Sequence, residues 1–162
     1  MIKSAELHPE IQTLFEQMGE IIAPRHSALS PAEARRFSKQ NRETASQPEA
    51  VHTTLNFDIV GPEGPVPVRV YVPTGAGPFP ALIYFHGGGW VLGDTDLLDP
   101  TCRAVTNQAE CVVISVDYRL APEDPFPAGL IDCYASVEWV SENAVDLNIN
   151  PDKIAIGGDS AG

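Results

Sequence analysis

Apolar positions in the first 50 residues recur at helical spacing. Leu7, Ile11, Leu14, Met18 and Ile21 line one face, with Phe15 and Ile22 beside them, and Pro9 suits a first helical turn. Ser30-Pro31-Ala32-Glu33 then reads as a second helix start: Ser30 can cap, Pro31 loses no hydrogen bond at the first position, and Glu33 completes a capping box. The spacing predicts that this helix runs to about Thr44, so residues 1–46 form an N-terminal helical segment. From Val51 the texture changes to β-branched runs, His52 to Val60 and Val66 to Val72, on either side of Gly61-Pro62-Glu63-Gly64-Pro65. This is the pattern of an antiparallel hairpin or meander.

Three further apolar runs follow, Ala81 to Phe85, Cys111 to Val116 and Ile154 to Ile156. Segments with helical potential, Leu98 to Ala109 and Leu130 to Glu142, separate them. Runs without polar alternation predict strands covered on both faces, as in a parallel sheet between helices. Residues 51–162 are therefore read as one α/β unit, mostly parallel, with an antiparallel first hairpin. The proline-rich stretches Pro73 to Pro80 and Pro122 to Pro127 are expected to be loops.

Composition narrows the function classes. With 43% hydrophobic and 20% charged residues among 162, the chain has the make-up of an ordinary soluble domain. Ten basic against 22 acidic residues give a formal net charge of -12, which repels phosphate backbones and argues against a nucleic-acid partner. The start MIKSAELHPEIQ has no signal-peptide core, and no apolar run approaches the roughly 20 residues of a membrane span, so a cytoplasmic protein is expected. Cys102, Cys111 and Cys133 are odd in number and widely spaced; they are read as small buried hydrophobes, not as a disulfide framework or a metal site.

The chemistry lies in two glycine motifs. Gly158-Asp159-Ser160-Ala161-Gly162 is a G-x-S-x-G string directly after an apolar run, the context of a nucleophile elbow. There the strand turns so sharply that only glycine flanks avoid clashes. Alone, the string also fits a plain glycine-rich turn. His86-Gly87-Gly88-Gly89-Trp90 follows the strand Ala81 to Phe85, and its bare backbone N–H groups could be aimed at a developing oxyanion, with the N–H of Ala161 as a third donor. A phosphate cradle is the alternative, but neither G-x-x-x-x-G-K-[ST] nor G-x-G-x-x-G occurs.

HGGGW, then Tyr118-Arg119-Leu120-Ala121-Pro122-Glu123 with Phe126-Pro127-Ala128, then GDSAG, in that order, resemble the hormone-sensitive-lipase-like family of esterases and lipases, of the α/β-hydrolase fold. The resemblance runs from about Val51 to Gly162, and the N-terminal helices resemble that family's cap segment. It implies Ser160 as nucleophile, Gly88, Gly89 and Ala161 as oxyanion-hole donors, and His86 as a structural support of the glycine loop, with Gly87 and Asp159 supporting the motifs. It also implies an acyl-enzyme route on short to medium acyl esters, with no cofactor or metal. Asp117 to Glu123 would be a scaffold loop, fixed by an ion pair of Arg119 with Asp117 or Glu123. Trp90 is read as core or cleft-wall packing, with the acyl or alcohol pocket as its functional reading, and Tyr118 as packing.

A serine nucleophile needs a base and an orienting carboxylate, met in this fold in the order Ser, Asp or Glu, His. His8, His26, His52 and His86 all precede Ser160. The chain is therefore expected to be a catalytically incomplete fragment whose last strand has an open edge. Three other readings fit the same residues: a small-molecule binding protein on a hydrolase scaffold, an amidase, and an inactive truncated product.

Overall fold

Ser30 caps its helix as the sequence requires. In this computed structural model, which describes residues 8–13, 29–40 and 48–162, the Ser30 N–H donates to Glu33 Oε2 at 2.8 Å and the Glu33 N–H donates back to Ser30 Oγ at 3.4 Å. This reciprocal box starts helix α1 (Pro31–Gln40). Residues 9–13 are helical; the rest of the first expected helix, and the end of the second towards Thr44, lie outside the described residues.

The chain continues as β1 (Thr53–Gly61), β2 (Gly64–Val72), β3 (Phe79–Phe85), α2 (Thr95–Ala109), β4 (Val112–Val116), α3 (Ala128–Glu142) and β5 (Ile149–Gly158). The strands form one sheet in the order β1-β2-β4-β3-β5. β1 and β2 make the expected antiparallel hairpin, turning at Pro62-Glu63, and β2 is antiparallel to β4; β3 lies parallel to both β4 and β5. Such a sheet, with helices between its parallel strands, is an incomplete α/β-hydrolase fold.

β4 explains why its run lacks alternation. Val112, Ile114 and Val116 join the cluster around Ile59, Ile83 and Val140 of α3, whereas Val113 joins Leu98 and Cys102 of α2 on the opposite face. All five of its residues are buried. Burying each valine or isoleucine is worth about 1.5–3 kcal/mol, so a strand sandwiched in this way anchors the sheet.

β5 has the open edge expected of this chain. Among the described residues it pairs with β3 alone and ends the sheet, and Ile156 is 65% exposed. It also begins at Ile149, before the apolar run, and a register irregularity opposite Phe79 to Ala81 absorbs the intervening polar residues. Phe79 and Pro80 belong to β3 and not to the preceding loop, because the Phe79 N–H donates to the Asn148 carbonyl at 2.9 Å. α2 starts at Thr95, in a polar first turn that apolar periodicity does not mark; its cap is Asp94, whose Oδ1 accepts from the Leu97 N–H at 2.9 Å. Cys102 and Cys111 are buried, Cys133 is partly buried, and all three are free thiols. No helix of the described residues is long and apolar enough to cross a membrane.

Candidate active site

The register of the parallel strands brings the two glycine motifs together. Phe85 is level with Val116 of β4 and with Gly158 of β5, so His86, Asp117 and Asp159 leave the sheet side by side at its carboxyl edge. Open α/β sheets place their sites at this edge.

At the end of β5 the chain turns through Ser160, which has φ 53°, a left-handed conformation costing a non-glycine residue about 1–2 kcal/mol. The turn is closed by the Gly162 N–H, which donates to the Asp159 carbonyl at 2.8 Å. Its tightness accounts for the flanking glycines. A Cβ on Gly158 would lie 2.7 Å from the Phe85 carbonyl oxygen, and one on Gly162 would lie 2.8 Å from that of His86. Ser160 itself is exposed.

The glycine loop lies against this turn. The Gly87 N–H donates to Asp159 Oδ1 at 3.0 Å, and a Cβ on Gly87 would stand 2.8 Å from the Asp159 carbonyl oxygen and 3.1 Å from Ser160 Cβ. Gly88 and Gly89 have φ of 129° and 61°, which L side chains adopt only under strain. Trp90, also left-handed at φ 61°, is 64% exposed. Among the described residues it joins neither hydrophobic cluster.

His86 is fully buried and stacks on Tyr118 at 4.3 Å between ring centroids. The Tyr118 hydroxyl donates to the His86 carbonyl. His86 Nδ1 lies 2.8 Å from the Gly87 carbonyl; a carbonyl only accepts, so Nδ1 carries the proton. Among the described residues Nε2 has no hydrogen-bond partner, and it lies 3.9 Å from Asp117 Oδ1. Burial raises the Asp117 carboxyl above its ordinary range, against the opposing pull of His86.

These bonds fix two peptide planes from behind. In a trans peptide the N–H points away from the carbonyl of the same unit. The Gly87 carbonyl is taken by His86, and the Gly88 carbonyl accepts from the N–H groups of Val91 at 3.2 Å and Leu92 at 2.9 Å. The N–H groups of Gly88 and Gly89 are thereby turned away from His86 and from the 88–92 turn. Ala161 is half-buried beside Ser160.

The expected partner of Arg119 is corrected. Its guanidinium pairs with Asp132 of α3 at 2.8 Å and with Glu63 of the hairpin turn at 2.7 Å, and it pairs with neither Asp117 nor Glu123. The Arg119 N–H also donates to Asp132 Oδ2 at 2.9 Å. Glu123 instead meets Arg35 of α1 at 2.8 Å, a residue that motif reading passes over. A hollow of about 520 Å³ under α1 is lined by Arg35, Lys39, Asp94, Asp117 and Tyr118 but not by Ser160, and so is distinct from the serine turn.

A family model described as alpha/beta hydrolase fold matches residues 82–162, from β3 to the serine turn. The chain belongs to this family. Within it, the chain falls in the hormone-sensitive-lipase-like group. Carboxylic ester hydrolase LipN of Mycobacterium tuberculosis is 48% identical over 66% of the chain and 29% of its own length. Esterase LipI of the same organism is 38% identical over 98% of the chain and 50% of its own length. Among solved structures, the ester-hydrolase EH1AB1 from the metagenome of Lake Arreo, complexed with a derivative of bipyridine phosphonate, has a TM-score of 0.89 and 38% identity over 97% of this chain and 52% of that one. The hyperthermophilic esterase of Pyrobaculum calidifontis has a TM-score of 0.88 at 36% identity, over 98% of this chain and 51% of its own. This α/β-hydrolase chain thus spans about half the length of the relatives that match it throughout.

Proposed function

We propose that the whole protein is a serine carboxylic-ester hydrolase in which Ser160 is the nucleophile. The observation that carries this reading is the strained Ser160 turn held against a glycine loop through Asp159 and Gly87. A turn of that shape exposes the hydroxyl on a rigid base, and the peptide planes behind Gly88 and Gly89 orient two N–H groups without using them in the loop's own bonds. In this reading Ser160 Oγ attacks the ester carbonyl, giving up its proton to a histidine base. The oxyanion is held by the N–H groups of Gly88, Gly89 and Ala161. Collapse expels the alcohol and leaves an acyl-Ser160, which water hydrolyses. Each oxyanion donor is worth about 100- to 1,000-fold in kcat.

The base and its carboxylate follow Ser160 in chain order in this fold, so residues 8–162 supply the nucleophile and the oxyanion donors without the remaining pair. This segment alone is proposed to be inactive. His86 is not the base in this reading, since its ring is fully buried against Tyr118 and its Nε2 lies towards Asp117. The names of LipN, LipI and the Lake Arreo protein support an ester as the substrate. Short to medium acyl chains, a cap formed by residues 1–46, Trp90 at the mouth of the pocket, and a cytoplasmic location complete the proposal.

The test uses the full-length gene product on p-nitrophenyl esters of increasing chain length, beside matched anilides and a fluorophosphonate probe. Turnover of the shorter esters, stoichiometric phosphonylation at Ser160, and loss of both in Ser160→Ala are expected. A folded wild-type protein that binds esters without turning them over or reacting with the probe would instead be a binding protein on this scaffold.

A further inference from the structure

α1 is a mainly polar helix in which Ala34 is buried and Phe37 partly buried. Arg35 bonds this helix to the loops beneath it. The Arg35 side chain is 30% exposed and makes four hydrogen bonds through its three guanidinium nitrogens. Nη1 and Nη2 donate to the two carboxylate oxygens of Glu123, each at 2.8 Å, a paired-fork arrangement; Nε donates to the Val91 carbonyl at 2.8 Å, and Nη2 also donates to the Ala121 carbonyl at 2.9 Å.

The two carbonyls belong to different loops, and those loops are themselves bonded. The Ala121 N–H donates to the Trp90 carbonyl at 2.9 Å. Arg35, Val91, Trp90 and Ala121 thus close a ring. One member, Val91, also donates its own N–H to the Gly88 carbonyl at 3.2 Å, the group that sets the direction of the Gly89 N–H. A helix could be tethered by any surface ion pair. This one instead grips the main chain of the 88–92 turn.

We infer that Arg35 is a positioning residue for the oxyanion loop, through which α1 fixes the direction of the Gly89 N–H. The inference rests on the ester-hydrolase reading above. Glu123 orients the guanidinium, and the carbonyls of Val91 and Ala121 accept from Nε and Nη2. Lysine cannot replace it, because an ammonium lacks the planar fork that reaches three acceptor groups at fixed angles. Misplacement of a reacting group by about 1 Å costs on the order of 100-fold in rate. A partly loosened turn should therefore lower kcat by about 10- to 100-fold.

The experiment compares full-length wild type with Arg35→Met, Arg35→Lys, Glu123→Gln and Lys39→Met. Lys39 is on the same helix and pairs with Asp94 at 3.9 Å without touching the 88–92 turn, so its variant controls for loosening α1 alone. Readouts are kcat and KM on a short ester, inhibition by a boronic acid that forms a tetrahedral adduct on the serine, and the melting midpoint. Expected is a 10- to 100-fold fall in kcat for both Arg35 variants, with KM within about threefold and boronate affinity falling in parallel. Glu123→Gln should show a smaller fall, and Lys39→Met none. Should Arg35→Met fail to fold, Arg35→Lys, which keeps charge and length, decides. Wild-type kcat and boronate affinity in a folded Arg35→Lys with a lowered melting midpoint would overturn the inference and leave Arg35 a tether. A wild type inert towards both ester and fluorophosphonate would sink the ester-hydrolase reading, and this inference with it.

Discussion

The Gly87 N–H donates to Asp159 Oδ1 at 3.0 Å across 72 residues of chain. That bond joins the glycine loop to the serine turn, and it needs Gly87 to be bare. Gly87→Ala would drive a methyl group against the Asp159 carboxylate and carbonyl, with Ser160 Cβ at 3.1 Å. Among the described residues Gly89 has nothing within 4 Å of an added Cβ, and the objection there is its φ of 61°. In the full-length protein, Gly87→Ala is expected to lower kcat at least 100-fold, whereas Gly89→Ala costs about 1–2 kcal/mol of backbone strain and a smaller fraction of activity. Steady-state ester hydrolysis with paired melting curves checks the order; equal losses would contradict it.

Asp159 is exposed, yet it carries the acceptor for Gly87. Asp159→Ala is expected to reduce kcat about tenfold by releasing the loop, on the scale of one charge-assisted hydrogen bond. Asp159→Asn keeps an acceptor oxygen and should lose less. The comparison of kcat at saturating ester checks this ranking.

Asp132 is the buried member of the Arg119 cluster, its side chain 3% exposed. It accepts the Arg119 main-chain N–H, Nε and Nη2 together. Removing it leaves these donors short of partners in a half-buried position, so Asp132→Ala should destabilise the fold by about 3 kcal/mol. Glu63→Gln, at the exposed end of the same cluster, should cost less than about 1 kcal/mol. Urea unfolding of the full-length variants reads both.

Burial raises the Asp117 carboxyl above its ordinary value of 3.8; nearby Asp94 and Asp96 add to the rise, while His86 and Lys39 oppose it. The unfolded chain therefore ionises first as pH rises, and between the ordinary and the raised value the native state holds more proton. Stability from this group is complete below pH 3.8 and is lost as pH climbs through the raised value. Asp117→Asn does not titrate. Its stability relative to wild type should increase from about pH 4 upward and then level off, as read from urea midpoints over a pH series. A difference that shrinks with pH would refute the assignment.

Local chemistry made much of this molecule legible from residues alone. The Ser30 to Glu33 capping box is satisfied within four neighbours, and the β4 run carries its burial in five consecutive apolar side chains. The two glycine motifs announce turns that no other residue could make. Each depends on forces between residues close in sequence, so pattern suffices. The partners of charged side chains do not work that way. Arg119 has Asp117 and Glu123 within four residues, but the loop aims it at Asp132 and Glu63, while Glu123 is taken by Arg35, 88 residues away. Ion pairing acts through space, and any of several carboxylates could serve until packing chooses one. The start of β5 was hidden for a related reason: Asn150 to Lys153 carry no strand pattern, and they fall within β5 because Ile149 before them and Ile154 after them pair with β3. The sequence by itself determined the elements, the sheet class and the identity of the serine and glycine motifs. Only the tertiary structure decided that Asp159 holds Gly87 and that Arg35 grips the loop, because those bonds exist only once β3 and β5 are in register and α1 is seated.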